Sequence, residues 1–352
     1  MLVELQLFAV EYQRPHAHLD ESGLEDSPLE LIGYTARDLQ WKDVRHPPLR
    51  YTNVMPLRLL LLANRDKPQV NEALETFRPW LAQRADIVAD PDIRELDTAA
   101  VAQLPAADLA MVFGGDGTML GLGRRLLNTD IPLLGVNFGK VGFLAEFNLA
   151  DVKQHWDQIV AGKCRMTERL MIETYAYAPG APEFGGNGEP PPGAKFHSVA
   201  MNDAVIAAGP PYRMIELELA IEPSVSRTSA TSFSGDGVVV ATPSGSTAYN
   251  LATGGPIVMP GVNGLSITAI CPQSLAFRPI IVQSSCDIWF RLKRANEGTT
   301  LVIDGQQSVK LDTDDQVFVR AHTKALRLVH NPNLNYWMML AKKMHWAARP
   351  RR

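Results

Sequence analysis

Near residue 150 the hydrophobic pattern of the chain changes period, and that change limits the fold more than any other feature. Between Pro56 and about Phe147, short continuously apolar runs alternate with helical stretches. In order they read "LRLLLLAN", "PQVNEALETFRPWLAQRA", "DIVA", "LAMVFGG", "TMLGLGRRLL" and "PLLGVNF". A strand that is apolar at every position must be covered on both faces, which argues for a parallel sheet flanked by helices. Beyond residue 150 the segments become short and alternating, among them "HSVAMNDAVIAAG", "RMIELELAIE", "GVVVATPSGS", "LSITAICP", "TTLVIDGQ" and "ALRLVH". Repeated short strands with turn residues between them predict an antiparallel sheet or sandwich.

The expected architecture is α/β plus all-β: a Rossmann-like parallel α/β domain over residues 56–150, then an antiparallel β-sandwich domain over 151–330. The Gly/Pro-rich run "PGAPEFGGNGEPPPGAK" predicts a flexible insert within 179–195. Apolar spacing in "YWMMLAKKMHWAA" predicts a helix within 331–352 that returns to the first domain, followed by a basic tail. Residues 1–55 sustain no period. They read as a poorly ordered extension, or as a segment upstream of a start at Met55.

With 352 residues, 46% of them apolar, the chain can build two proper cores. A formal charge of −4 and a pI near 6.1 do not suggest a nucleic-acid binder. No apolar run approaches the roughly 18 residues of a membrane span. Cys164, Cys271 and Cys286 fit neither a disulfide framework nor a zinc site, so free thiols in a reducing compartment are expected. A start with glutamates and no basic residue makes a poor signal peptide, and the cytoplasm is the expected location.

Three stretches carry chemistry. In "FGGDGT", Phe113–Thr118, one carboxylate sits among three glycines after a buried strand. Gly114, Gly115 and Gly117, with Thr118, suit the backbone of a phosphate-binding helix start. Asp116 inside such a site would repel phosphate, so it should hold a sugar hydroxyl or take its proton; an Asp capping a tight turn is the plainer reading. In "SGDGVVVATPSGSTAYN", hydroxyls crowd one loop and Tyr249 offers a face for a planar ring. A hairpin turn rich in Ser and Thr is the alternative there. In "AMNDAVIA", Asn202 and Asp203 interrupt an apolar strand, and the one that faces inward needs a partner, either a ligand hydroxyl or a structural hydrogen bond.

These blocks, together with "GVNFGKVGFLAEF", "CPQSLAFRPIIV" and "DGQ", occur in the order and spacing of the NAD kinase family, which the chain resembles from about Leu57 onward. Lipid kinases share "GGDGT" but lack "TPSGSTAYN" and "NDAV" in this arrangement. The resemblance implies transfer of a terminal phosphoryl group from ATP, or from inorganic polyphosphate, to the 2′-hydroxyl of the adenosine ribose of NAD, assisted by Mg²⁺. No protein ligand for the metal is assigned. Asp116 matches the family's proton acceptor, with Gly117 beside it. Asn202 and Asp203 match the pair that grips NAD, and Arg213 falls at a basic ligand contact. Asp236 matches the acid of the GDG turn, while Thr247, Ala248, Tyr249 and Asn250 match the loop at the nicotinamide end. Gln306 matches the glutamine after "DG". The family also implies a homodimer or homotetramer whose subunits complete each other's pocket.

Several positions depart from that pattern. Asp203 stands where Glu is frequent, Ser244 where Thr is frequent, and Ala252 where a serine is usual. Ser234 replaces a basic residue, and Gln273 a common His. None of them touches Asp116. Two rival readings are a lipid or sugar kinase sharing the glycine-Asp loop, and a non-catalytic NAD(P)-binding regulator, whose mark would be loss of Asp116. Lys140 is a candidate phosphate partner, though an exposed lysine is the commoner outcome.

Overall fold

A computed structural model describes residues 56–139, 142–180, 190–222 and 229–344. The expected N-terminal extension, Lys140, most of the Gly/Pro insert and the basic tail lie outside the described residues.

Strand β1 (Arg58–Ala63) begins the α/β half, followed by helix α1 (Pro68–Ala82), β2 (Asp86–Ala89) and a short α2 (Thr98–Ala102). Then come β3 (Leu109–Phe113), α3 (Asp116–Leu126) and β4 (Leu133–Val136), and β1 lies parallel to β2 and β3, as β3 does to β4. The run of leucines in β1 is explained by its two faces. Leu59 and Leu61 pack with Val70, Leu74, Phe77 and Leu81 of α1, while Leu60 and Leu62 pack with Met119, Leu122 and Leu126 of α3. Each buried leucine contributes roughly 1.5–3 kcal/mol, so a polar residue at any of these positions would cost a comparable amount.

After two short helices, α4 (Leu149–Gln154) and α5 (Trp156–Val160), the chain passes through β5 (Met166–Arg169) into the sandwich. One sheet combines β6 (Ile172–Tyr177), β7 (Phe196–Ala200), β9 (Ile215–Ile221), β10 (Thr231–Gly235), β14 (Ile288–Arg294) and β17 (Gln316–Ala321), in the order β10-β9-β14-β17-β6-β7. The other combines β8 (Asp203–Ala207), β11 (Gly237–Ala241), β12 (Gly264–Ile270), β13 (Ile280–Gln283), β15 (Thr300–Ile303) and β16 (Gln307–Lys310), in the order β13-β12-β11-β8-β15-β16. All neighbours in both sheets are antiparallel. Leu217, Leu219 and Phe290 from one sheet meet Ile206, Val238, Val240 and Ile267 from the other in a single core.

The boundary expected at residue 150 needs correcting. Strand β5 and β18 (Leu326–Val329) belong to the first sheet, whose order is β2-β1-β3-β4-β18-β5. The chain therefore leaves the α/β layer after Arg169 and returns to it at Leu326. The alternation of "LRLV" reads alike in either sheet. Its placement is decided by partners: Leu326 and Leu328 join the core of Met119 and Leu133, and Leu328 pairs in parallel with Leu133. A four-residue α6 (Tyr249–Ala252) lies in the hydroxyl-rich loop, and α7 (Tyr336–Met344) follows β18, burying Met339 and Leu340.

Candidate functional site

The glycines around Asp116 serve a carboxylate rather than a bare turn. Gly114 closes β3 onto β4 by donating its N–H to the Val136 carbonyl at 2.9 Å, and a Cβ there would overlap the Thr118 side chain. Gly115 caps α3 without a side-chain bond, and Asp116 opens the helix, where a negative charge suits the helix dipole. The carboxylate crosses to the segment after β4. Its Oδ2 accepts the Phe143 N–H at 2.9 Å, and its Oδ1 accepts those of Leu144 at 3.1 Å and Ala145 at 3.0 Å. A side chain on Gly142 would overlap this carboxylate, so the segment can wrap Asp116 only with glycine there.

A second hub lies on the β15–β16 hairpin, where Asp304 and Gly305 both take positive φ, 50° and 66°. Asp-Gly is a strong signal for such a turn, since both positions tolerate the left-handed region. The Asp304 carboxylate accepts N–H bonds from Met201 at 3.0 Å, Asn202 at 2.7 Å and Asp203 at 3.2 Å, and pairs with Arg124 Nη1 at 3.4 Å. Gln306 extends the link. Its Oε1 accepts from Arg124 Nη2 at 2.7 Å, and its Nε2 donates to the Gly117 carbonyl at 2.8 Å. The amide of Gln306, expected at the dinucleotide, is thus engaged in tying the first turn of α3 to the sandwich.

The hydroxyl-rich loop packs against the same backbone. Thr242 donates its N–H to the Asn202 carbonyl at 2.9 Å and its hydroxyl to the Met201 carbonyl. A Cβ on Gly245 would overlap the Asn202 backbone, so the two segments approach this closely only through glycine. Thr247 and Ala248 are half-buried, and Tyr249 is 48% exposed, free to cover a ring. Asn250 is different. It is 0% exposed, its amide nitrogen donates to the Pro256 carbonyl at 3.1 Å, and its oxygen accepts from Thr268 at 2.8 Å and Ser266 at 3.3 Å. Its place is beneath the loop as a bracket, with no surface left for a ligand.

Asp203 is 5% exposed and has no side-chain hydrogen bond among the described residues. Burial, with the neighbouring charge of Asp304 adding to it, pushes its carboxyl up to about 7. Asp304 is also raised by burial, but three N–H donors and Arg124 oppose the shift. Burial therefore acts on Asp203 without the donors and the cation that oppose it at Asp304.

Two expected residues lie elsewhere. Strand β8 pairs Asp203 with Ala241 at one end and Ala207 with Gly237 at the other. Asp236 sits just past that far end, its carbonyl accepting the Ala208 N–H, roughly 17 Å along the strand from Asp203. Arg213 is exposed, its carbonyl accepting from Asn296 Nδ2 at 2.7 Å. Within one chain neither joins Asp116.

Sequence reasoning missed Arg124, Asp304 and the N–H groups of residues 143–145. The Asp-Gly hairpin and Gly142 were the available signals, but neither names its partner. No three His, Cys, Asp or Glu side chains converge as a metal-holding group among the described residues.

A parallel α/β layer whose helix α3 is tied through Arg124 and Gln306 to an antiparallel sandwich places the chain in the class of two-domain α/β plus β proteins. Residues 60–164 match the family described as ATP-NAD kinase N-terminal domain, and residues 201–331 the ATP-NAD kinase C-terminal domain. The chain belongs to the NAD kinase family. It is 35% identical over 242 residues to the NAD kinase of Syntrophotalea carbinolica, covering 69% of this chain and 79% of that one. It is 34% identical over 299 residues to the NAD kinase of Chromobacterium violaceum, covering 83% and 97%. Its fold is similar to yeast NADH kinase, solved with NADH, at a TM-score of 0.70, 23% identity and coverage of 84% and 89%. It is also similar to an NAD kinase from Archaeoglobus fulgidus, solved with ATP, at 0.58, 19% identity and coverage of 79% and 95%.

Proposed function

We propose that this protein transfers the terminal phosphoryl group of ATP, or of polyphosphate, to the 2′-hydroxyl of the adenosine ribose of NAD, giving NADP. The observation that carries the reading is the clamp on Asp116. Three backbone N–H groups fix both carboxylate oxygens, and Oδ2, which takes only one of them, keeps a lone pair for a sugar hydroxyl. As the oxygen–phosphorus bond forms and the bond to the leaving phosphate breaks, that lone pair accepts the hydroxyl proton. Gly114, Gly115, Gly117 and Thr118 lie where the helix start can receive the phosphoryl donor.

Asn202, Asp203, Thr247, Ala248 and Tyr249 form the dinucleotide side of the site, where burial favours the neutral form of Asp203. Gln306 and Asn250 shape it from behind. Asp236 and Arg213 reach the dinucleotide from a neighbouring copy in a homodimer or homotetramer, which accounts for their distance from Asp116 within one chain. Magnesium belongs with the triphosphate; the described residues provide no cluster to hold it alone. No helix among the described residues is long and apolar enough to cross a membrane.

Purified protein incubated with NAD, Mg²⁺ and either ATP or polyphosphate should form NADP, read by a coupled dehydrogenase. Asp116→Asn should lower turnover about 10²–10⁴-fold. It should also lower the melting temperature, because an amide NH₂ would face N–H donors. Turnover near the parent level in a folded Asp116→Asn protein would remove Asp116 from its role.

A further inference from the structure

Behind the segment that clamps Asp116 lies a cavity of about 60 Å³, bounded by Phe143 and Leu144, by β5, and by the first turns of α7. Its wall carries an arginine that the fold leaves unsatisfied. Arg169, the last residue of β5, is 6% exposed, and its Nε is buried with no hydrogen-bond partner. Across the cavity, the Tyr336 hydroxyl is likewise buried with no partner. Arg165 also lines the space.

The one acid on the wall is already engaged. Glu146 Oε1 lies 2.9 Å from His330 Nδ1, and its Oε2 accepts the Asn331 N–H at 3.1 Å. The other nitrogen of His330 is 2.6 Å from Thr167 Oγ1, so the imidazole is committed too. What remains on the cavity wall is the unpartnered Arg169 Nε and Tyr336 hydroxyl, with Arg165 beside them.

A buried N–H or O–H donor without an acceptor is unfavourable, and such groups persist where something satisfies them. Burial lowers Arg169 to about 10, so it stays charged at neutral pH. Burial also raises Tyr336, which therefore remains a hydroxyl and a donor. The space holds several waters or one polyatomic ion. We propose that this cavity is a binding site for a small oxyanion, orthophosphate or a carboxylate, held by Arg169 and the Tyr336 hydroxyl with Arg165 beside them. An anion seated there also braces Phe143 and Leu144, whose N–H groups hold Asp116. The cavity also touches Ser244 and Thr247, so it adjoins the dinucleotide side of the site and rests on that reading for its neighbour, while its test is anion binding rather than turnover.

Thermal unfolding and titration calorimetry on the full chain, with orthophosphate and separately with acetate, against chloride at equal ionic strength, decide the matter. Saturable binding is expected for at least one oxyanion, with a rise of about 2 °C in Tm. A response to phosphate alone assigns a tetrahedral ligand, and a response to acetate alone a carboxylate. Tyr336→Phe removes one donor with little change of shape and should weaken that binding about 5–10-fold; Arg169→Met should abolish it. If Arg169→Met does not fold, Tyr336→Phe still decides. No effect of either oxyanion beyond chloride, meaning that water alone fills the cavity, would overturn the proposal. So would equal affinity in Tyr336→Phe and the parent, which would place the anion elsewhere.

Discussion

The two ends of strand β8 behave as opposites. At its start, Asp203 is buried and its backbone is bonded to Asp304, while the preceding Asn202 is packed against Gly245. From there, Asp304, Arg124 and Gln306 connect to Gly117, beside Asp116. At its far end, Asp236 and Arg213 are exposed, and among the described residues only their backbones are engaged. One end is held by the chain's own hydrogen bonds, and the other is left open to solvent. The comparison teaches that residues sharing one sequence signature need not share one site within one molecule.

The sharpest way to break this comparison is Gly142→Ala. The added methyl occupies the space of the Asp116 carboxylate and should cut kcat/KM about 10²-fold, since small misplacement of a reacting group has that effect. A parent-like rate would show that the clamp does not position Asp116. Next in size is Asp203→Asn. The Asp203 carboxyl is raised from 3.8 to about 7, so the stability tied to its protonated form is fully present below about pH 4 and lost as pH rises through 7. The asparagine protein should therefore gain on the order of 2–4 kcal/mol relative to the parent at pH 8, and little at pH 4. Denaturant unfolding across that range measures it, and parallel curves would refute the buried charge.

Gln306→Leu tests the tie between the halves. Losing both amide bonds should raise KM for NAD about 10-fold while leaving kcat closer to the parent. A kcat loss with KM unchanged would mean that Gln306 acts at the reacting atoms instead. The smallest effect on the fold is expected at the open end, where Asp236→Ala should shift stability by less than about 0.5 kcal/mol. Its activity should nonetheless fall. Mixing it with Asp116→Asn protein should restore part of the rate if neighbouring copies share sites, and no recovery would argue against that sharing.

Much of the fold was legible because its causes are local. The leucines of β1 announce a strand covered on both faces, and "IELELAI" announces one that is not. Gly114, Gly115 and Asp116 were legible as a candidate site for the same reason: glycines around one carboxylate at a strand end act within a few residues of one another. Asn250 misled because a conserved-looking motif position and a core bracket need the same amide. Asp304 went unread because its signal, Asp-Gly, announces a hairpin and says nothing of the backbone it will cap 103 residues away. The return of "LRLV" to the first sheet was invisible, since alternation specifies a face and not a neighbour.

Element type, the order of the two halves and the identity of the central acid follow from the sequence alone, because periodicity and turn chemistry act within a few residues of one another. Tertiary structure decided the rest: which sheet β18 joins, which amides grip Asp116 and Asp304, and how far Asp236 stands from both. Those outcomes depend on hydrogen bonds and packing between segments far apart in the chain, and such bonds form only once the cores have brought their donors and acceptors together.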